Sequence, residues 1–170
     1  MKIHGDAQYS ALSALKGGSK REGGFAMEPK VTFHHVALSV RDMEESIAWY
    51  GEWFDFKVLS RMVIPHNGTR VTFIGNGDFI IELIVVEGAK PLPKERRHPD
   101  TDNATLGVKH ICVAVDDNRA FVQKMKDAGV EIALEGDEPE MPRYGAHVLD
   151  PTGNIIEIFQ KDFDVSTIRQ

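Results

Sequence analysis

The chain has 170 residues, of which 42% are hydrophobic and 27% are charged, a composition that predicts a folded globular protein. A formal net charge of -6 offers no basic surface for nucleic acid, and no apolar run is long enough to predict a membrane span. The single cysteine, Cys112, excludes an internal disulfide and is typical of a reducing compartment, so the cytoplasm is the expected location.

Residues 1–29 carry no periodic hydrophobic pattern and include a stretch rich in glycine. This composition predicts a flexible N-terminal extension that takes no part in the fold. The rest of the chain is expected to divide into a first module over 30–88, a linker over 89–106, a second module over 107–163 and a C-terminal tail over 164–170.

Signals for strands and helices follow one another in the same order in both halves of the chain. In the first half, an alternating strand leads to Asp42, which is expected to cap a helix over Met43–Phe54 because Glu45 completes a capping-box pattern. Three strands rich in branched residues follow this helix. In the second half, the corresponding strand leads to Asp117, a helix ends at Gly129, and three further strands follow.

The two halves align with each other at a constant offset of 75 residues. This offset places His35 on His110 and Glu82 on Glu157, so each half carries one histidine and one glutamate at the same spacing. A repeat of this kind predicts two copies of one strand-helix-strand-strand-strand unit.

The repeated histidines and glutamates are candidate metal ligands. A glutamate inside an apolar strand, such as Glu157, is costly to bury unless a partner binds it. Because side chains alternate along a strand, the histidines and glutamates can share one face with small residues that leave room for a cavity. Imidazole and carboxylate together suit Zn, Ni, Co, Fe or Mn. We therefore expect one divalent metal ion held by His35, Glu82, His110 and Glu157.

The motifs around these ligands resemble those of the vicinal oxygen chelate superfamily, which includes glyoxalase I, methylmalonyl-CoA epimerase, extradiol dioxygenases, and fosfomycin and bleomycin resistance proteins. The resemblance implies an α+β fold in which two tandem βαβββ modules form an eight-stranded, cup-like mixed sheet with the helices outside. It also implies a homodimer and a small-molecule substrate. The resemblance covers residues 31–161 and rests on His35-Val36-Ala37-Leu38 before Asp42, on Lys109-His110-Ile111, and on Asp150-Pro151-Thr152-Gly153-Asn154 before Glu157.

The activity implied by the resemblance is that of a metal-dependent lyase or isomerase that acts by proton transfer. The expected ligands match those of bacterial-type glyoxalase I, whereas the epimerase has glutamine at the position of Glu82. Ser39 stands where glyoxalase I carries an arginine that holds glutathione, and Val86 stands where it carries an asparagine. Thr72 stands where the epimerase carries its catalytic glutamate. The substrate therefore stays open, as do two alternatives: an extradiol-type dioxygenase, and a non-catalytic member that binds a drug or another ligand.

Glu157 and Glu82 are the candidate catalytic carboxylates, because a carboxylate that leaves the metal can carry a proton. The offset of 75 residues aligns His147 with Thr72 and predicts that His147 faces the cavity, either as a general base or as a wall residue. The candidates for contact with the substrate are Thr72, Arg143 and Tyr144. Arg143 and Tyr144 are expected to lie in a loop.

Overall fold

The computed structural model describes residues 31–138, 143–164 and 166. All helices and strands given below belong to one compact unit, His34–Gln170. Within the described residues, no helix is long and apolar enough to cross a membrane.

The first module contains one helix and one four-stranded sheet. The Asp42 carboxylate accepts a hydrogen bond from the backbone N–H of Glu45, and Asp55 ends the helix in a left-handed conformation, so the helix has the bounds that the capping signals predict. The elements are β1 (Val36–Ser39), α1 (Met43–Phe54), β2 (Lys57–Val63), β3 (Arg70–Asn76) and β4 (Phe79–Val85). The sheet order is β1-β4-β3-β2, with β1 parallel to β4 and the other pairs antiparallel.

The segment between the modules contains two short helices, a 3₁₀ turn over Lys94–Arg97 and α2 over Pro99–Asp102. Asp102 is 1% exposed, and its Oδ1 accepts a hydrogen bond from Arg96 Nε at 2.8 Å. Lys109 Nζ lies 3.5 Å from the same oxygen. This ion cluster fixes the residue immediately before His110 and so connects the segment to the site.

The second module repeats the order of the first. Its elements are β5 (Ile111–Val115), α3 (Asn118–Asp127), β6 (Ile132–Glu138), β7 (Arg143–Leu149) and β8 (Ile155–Gln160). The sheet order is β5-β8-β7-β6, and only β5 and β8 are parallel. The predicted α+β fold of two tandem βαβββ modules is confirmed, with the eight strands divided between two four-stranded mixed sheets.

Each sheet buries one face under a helix. Ile81 and Leu83 on β4, like Ile156 and Ile158 on β8, are 0% exposed and belong to one hydrophobic core. The alternation of side chains therefore leaves Glu82 and Glu157 on the opposite faces of the two sheets. The helices also meet each other, since the ring of Phe121 on α3 lies 6.1 Å from Trp53 and 6.0 Å from Phe54, both on α1.

The turn between β7 and β8, residues 150–154 (the Asp150 turn), is organised by one buried carboxylate. Asp150 is 3% exposed, and its Oδ2 accepts hydrogen bonds from the hydroxyl of Tyr50 at 3.1 Å and from the side chain of Asn154 at 2.8 Å. Its Oδ1 accepts three backbone N–H groups, those of Thr152, Gly153 and Asn154. Asp150 thus shapes the turn that precedes β8, the strand of Glu157, and joins this turn to α1.

The Asp150 turn also contacts the end of β1. The backbone N–H of Arg41 donates to Thr152 Oγ1 at 3.0 Å, and the Arg41 guanidinium donates to the carbonyl oxygen of Pro151 at 3.1 Å. Asn154 Nδ2 donates to the carbonyl oxygen of Ser39 at 3.3 Å. The two modules are therefore held together by polar contacts as well as by the aromatic contact between helices.

Candidate metal centre

His110, His147 and Glu157 form the cluster of the second module (the His110 cluster), with one ligand atom from each lying within 4.8 Å of the others. His110 precedes β5 by one residue, and its Nε2 lies 3.1 Å from Glu157 Oε2. His147 on β7 pairs with Glu157 on β8. The two imidazole rings meet edge to face, with centroids 5.2 Å apart. Two imidazoles and one carboxylate thus converge on the face of the sheet opposite the core.

The Glu157 carboxylate is a buried anion. The residue is 8% exposed, and burial alone would raise its pKa. The hydrogen bond from His110, the charges of His110 and His147, and a hydrogen bond from Cys112 outweigh burial and lower the pKa of Glu157 to about 2. Glu157 is therefore ionised at neutral pH, the state in which a carboxylate can ligate a cation.

The equivalent residues of the first module form a smaller group, the His35 pair, which consists of His35 and Glu82. His35 Nε2 lies 3.3 Å from Glu82 Oε2, and its Nδ1 lies 2.8 Å from Nδ1 of His34. The His35 ring also lies edge-on to Phe73, with centroids 5.5 Å apart. Phe73 is the register partner of Glu82, so it holds the place in the first module that His147 holds in the second.

The four predicted metal ligands thus occur as two histidine–glutamate pairs, one in each module. The His110 cluster contains His110 and Glu157 but not His35 or Glu82. The set of four ligands around one ion stays a prediction.

The alignment of Thr72 with His147 is wrong by one residue. Glu82 pairs with Phe73, nine positions earlier, whereas Glu157 pairs with His147, ten positions earlier. The chain between the glutamate and its register partner is therefore one residue longer in the second module than in the first. Thr72 is 2% exposed and pairs with Leu83, so it lies on the core face of the sheet, opposite Glu82. In the sequence, this shift corresponds to one more residue between the strand patterns of the second hairpin than between those of the first.

Arg143 and Tyr144 lie in β7 rather than in the expected loop. Tyr144 is on the face opposite His147, with the Arg119 guanidinium 4.4 Å above its ring and its hydroxyl donating to Glu135 at 2.5 Å. Burial and the neighbouring Glu135 raise the pKa of Tyr144. These contacts direct Tyr144 towards α3 and away from the His110 cluster. The side chain of Arg143 lies outside the described part of the chain, so its contact with a substrate stays a prediction.

Cys112 lies beside the His110 cluster and was not assigned a role from the sequence. It is exposed and pairs in register with Glu157. It also lines a cleft of about 910 Å³, together with the aromatic residues Trp53, Phe54 and Phe56. The cleft has the volume of a small-molecule site, commonly about 300–1,000 Å³, but its described lining includes none of the candidate ligands His35, Glu82, His110, His147 and Glu157.

The donor atoms in both modules fit a divalent cation. Imidazole nitrogen and carboxylate oxygen bind such ions at about 2.0–2.2 Å, which places neighbouring ligand atoms about 3 Å apart. The separations of 3.1 Å between His110 and Glu157 and 3.3 Å between His35 and Glu82 agree with this spacing. The ionised, buried carboxylate of Glu157 supplies the negative charge that such a site requires.

Comparison with known proteins identifies the family. The model of the Glyoxalase/Bleomycin resistance protein/Dioxygenase superfamily matches residues 32–158, which include both modules. The chain belongs to this superfamily. The resemblance seen in the sequence is therefore confirmed, and the match spans the His35 pair and the whole His110 cluster.

Two relatives of the chain are named for different activities. Ethylmalonyl-CoA/methylmalonyl-CoA epimerase of Cereibacter sphaeroides is 30% identical over 134 residues, which cover 75% of this chain and 96% of the epimerase. Lactoylglutathione lyase of Neisseria meningitidis serogroup A is 30% identical over 131 residues, which cover 75% of this chain and 88% of the lyase. A glyoxalase family protein of Enterococcus faecalis has the same fold, with a TM-score of 0.62 at 19% identity over 75% of this chain and 95% of its own.

Proposed function

We propose that this member of the superfamily is a divalent-metal-dependent enzyme that transfers a proton on a small oxygenated substrate, as a glyoxalase-like lyase or an epimerase. The observation that carries the proposal is the convergence of two imidazoles and an ionised carboxylate in the His110 cluster. The relationship to an epimerase and to a lyase supports proton transfer as the type of chemistry. The lone cysteine supports a cytoplasmic location.

The ion would be held by the His110 cluster, with His35 and Glu82 completing the set of ligands. When bound, it supplies a positive charge that stabilises the negative charge developing on a substrate oxygen. Glu157 and Glu82 are the carboxylates available to accept a proton from the carbon next to a carbonyl group. The C–H bond then breaks, its electron pair moves towards the carbonyl oxygen, and an O–H bond forms on the carboxylate. Return of the proton to another face or another carbon gives the epimer or the isomer.

We infer that a second copy of the chain brings the two halves of the ligand set together. In a twofold dimer, the first module of one chain would face the second module of its partner, which gives two equivalent sites. Exposed apolar side chains support this pairing. Met62 is 51% exposed, and its pairing with Val71 places it on the same face of the first sheet as Glu82. Leu134 is 37% exposed, and its pairing with His147 places it on the same face of the second sheet as the His110 cluster. Apolar residues exposed around a site are typical of a surface that becomes buried.

A second candidate function is that of an extradiol-type dioxygenase. The observation that favours it is the composition of the His110 cluster, since two histidines and one carboxylate are also the ligands of non-haem Fe(II) oxygenases. The paired Glu82 carboxylate of the first module would be unnecessary for that chemistry. Oxygen consumption with a catechol in the iron-loaded protein would establish this function instead.

The proposed function is tested by metal content and by isotope exchange. We expect about one divalent ion per chain in the purified protein, with loss of the ion in His110→Ala. Methylmalonyl-CoA and lactoylglutathione, the compounds named for the two relatives, would be incubated with the protein in D₂O, and deuterium on carbon would be measured by mass spectrometry. Glu157→Gln should lose most of the exchange. A protein that binds no divalent ion, even after incubation with Ni, Co, Zn, Mn and Fe, would refute the proposal.

A further inference from the structure

The two halves of the ligand set share the histidine and the glutamate but differ at the other positions around them. His147 in the second module corresponds to Phe73 in the first, because each is the register partner of the glutamate. Cys112 corresponds to Ala37 by the same criterion. The second module therefore adds an imidazole and a thiol where the first module has a benzene ring and a methyl group.

We propose that the second module retains the metal by itself, through His110, His147 and Glu157, and that the His35 pair is the exchangeable half of the site. Glu82 is then the carboxylate that leaves the ion and accepts the proton of the substrate. This inference rests on the proposed function and decides between the two carboxylates that could carry the proton.

The first argument is the number of donors. The His110 cluster presents three ligand atoms within 4.8 Å of one another. In the first module, Phe73 occupies the third position, and its ring has no atom that can bind a cation as a ligand. An ion held by three side chains of one sheet loses little when a fourth ligand leaves. An ion held only by the His35 pair would have two protein ligands.

The second argument is how firmly each carboxylate is held. The side chain of Glu157 is 11% exposed, whereas that of Glu82 is 21% exposed. Glu157 has His110, His147 and Cys112 around it. Among the described residues, the polar partner of Glu82 is His35. Hydrogen bonds from outer residues orient ligating carboxylates and contribute about 10- to 100-fold to metal affinity, so Cys112 positions Glu157 while Ala37 leaves Glu82 free to move.

The test is the affinity of the purified protein for Zn²⁺, measured by competition with a chromophoric chelator. We expect Glu157→Gln to weaken binding at least about 10-fold and Glu82→Gln to weaken it by less than about 3-fold. His147→Phe, which gives the second module the residue of the first, should weaken binding about 10- to 100-fold. The matched control, Phe73→Leu, changes the equivalent position without removing a donor and should bind as the wild type does.

The role of Cys112 is tested by rescue. Cys112→Ala should weaken Zn²⁺ binding at least about 10-fold, and Cys112→Ser, which keeps a donor, should restore most of the affinity. The circular dichroism spectrum of each metal-free variant reports whether the fold is intact. If Glu157→Gln does not fold, His147→Phe and Phe73→Leu still decide the result, because both leave the Glu157 carboxylate in place.

The outcomes separate this inference from the proposed function. A wild type that binds no divalent ion refutes both. A wild type that binds the ion, with Glu82→Gln weakening binding as much as Glu157→Gln, refutes only the inference. Equal effects of Phe73→Leu and His147→Phe would also refute it, whereas loss of deuterium exchange in a Glu82→Gln variant that retains its metal would support it.

Discussion

Tyr50 is a fully buried tyrosine whose hydroxyl donates to Asp150 at 3.1 Å. Burial, and then the charge of Asp150, raise the pKa of Tyr50 well above its ordinary value, so the phenol remains a donor. Tyr50→Phe removes the hydrogen bond to a buried carboxylate. We expect the free energy of unfolding to fall by about 1–3 kcal/mol, measured by urea denaturation.

Tyr144→Phe is the control for this substitution. The Tyr144 hydroxyl also donates to a carboxylate, Glu135, but this bond lies at the surface. Its loss should change the free energy of unfolding by less than about 1 kcal/mol. If Tyr50→Phe lowered the free energy of unfolding no more than Tyr144→Phe does, Tyr50 would stabilise the fold through the packing of its ring and not through its hydrogen bond.

Asp102 is the buried anion of the segment between the modules, and it is paired with Arg96 and Lys109. Asp102→Asn leaves two cations without their counter-charge. Breaking a buried ion pair commonly costs about 3–5 kcal/mol, but the side chains of the two cations are 30% and 27% exposed. Because solvent screens part of the effect, we expect a loss of about 2–3 kcal/mol, measured by thermal and urea unfolding.

Asp55→Asn is the matched control, since the ion pair of Asp55 with Lys57 is exposed, with side chains 77% and 71% accessible. A surface pair of this kind contributes little, so the unfolding curve should hardly move. Because Lys109 immediately precedes His110, Asp102→Asn should also weaken metal binding, whereas Asp55→Asn should not. An Asp102→Asn protein with wild-type stability would contradict the interpretation of this cluster.

At the scale of elements, the Asp150 turn depends on Gly153. This residue has φ of +102°, and an added Cβ would lie 2.6 Å from Nε of Arg97. Gly153→Ala therefore combines an unfavourable backbone conformation with a steric clash, and we expect a loss of about 2–4 kcal/mol. The measurement is the urea midpoint. Because β8 follows this turn, metal affinity at Glu157 should fall as well.

Gly77, in the turn between β3 and β4, gives the control for Gly153. It also has positive φ, +58°, but an added Cβ would meet no heavy atom within 4 Å. Gly77→Ala should therefore lower the free energy of unfolding only through its unfavourable backbone conformation, by about 1–2 kcal/mol. A cost for Gly153→Ala no larger than that for Gly77→Ala would show that the contact with Arg97 relaxes.

The sequence predicted those elements whose ends are determined by local chemistry. α1 has the predicted bounds because the Asp42 cap acts within a few residues. β1 and β5 begin at Val36 and Ile111, so His35 and His110 lie one residue before their strands rather than within them. The extra residue between the register partners of the second module breaks the constant offset of 75 residues. Because turn length is independent of strand periodicity, this offset aligns Thr72 with His147, whereas the sheet register aligns Phe73 with it.

At the scale of the whole molecule, the repeat predicted the two modules but not how they contact each other. The contact of Phe121 with Trp53 and Phe54, and that of Tyr50 with Asp150, join residues far apart in sequence. No local pattern encodes such pairs. For the same reason, the alternation of side chains identified candidate ligands within each sheet but could not show that they form two separate pairs.

The proposed twofold dimer can be tested by complementation. One variant carries His35→Ala and Glu82→Gln, and the other carries His110→Ala and Glu157→Gln. If each site combines the first module of one chain with the second module of its partner, a mixed dimer has one doubly altered site and one intact site. After subunit exchange at equal concentrations, random pairing should therefore restore about one quarter of the wild-type number of sites. The recovered fraction would be measured as the rate of deuterium exchange into the substrate.

Each variant alone should show no exchange, because every one of its sites lacks one half of the ligands. Size-exclusion chromatography with light scattering would establish that the wild type is a dimer before the variants are mixed. If both halves of the site came from the same chain, every site in every dimer would carry a defect, and mixing would restore nothing. Recovery after mixing therefore requires that residues of two chains complete one site, while an inactive mixture of stable dimers would assign both ligand pairs to a single chain.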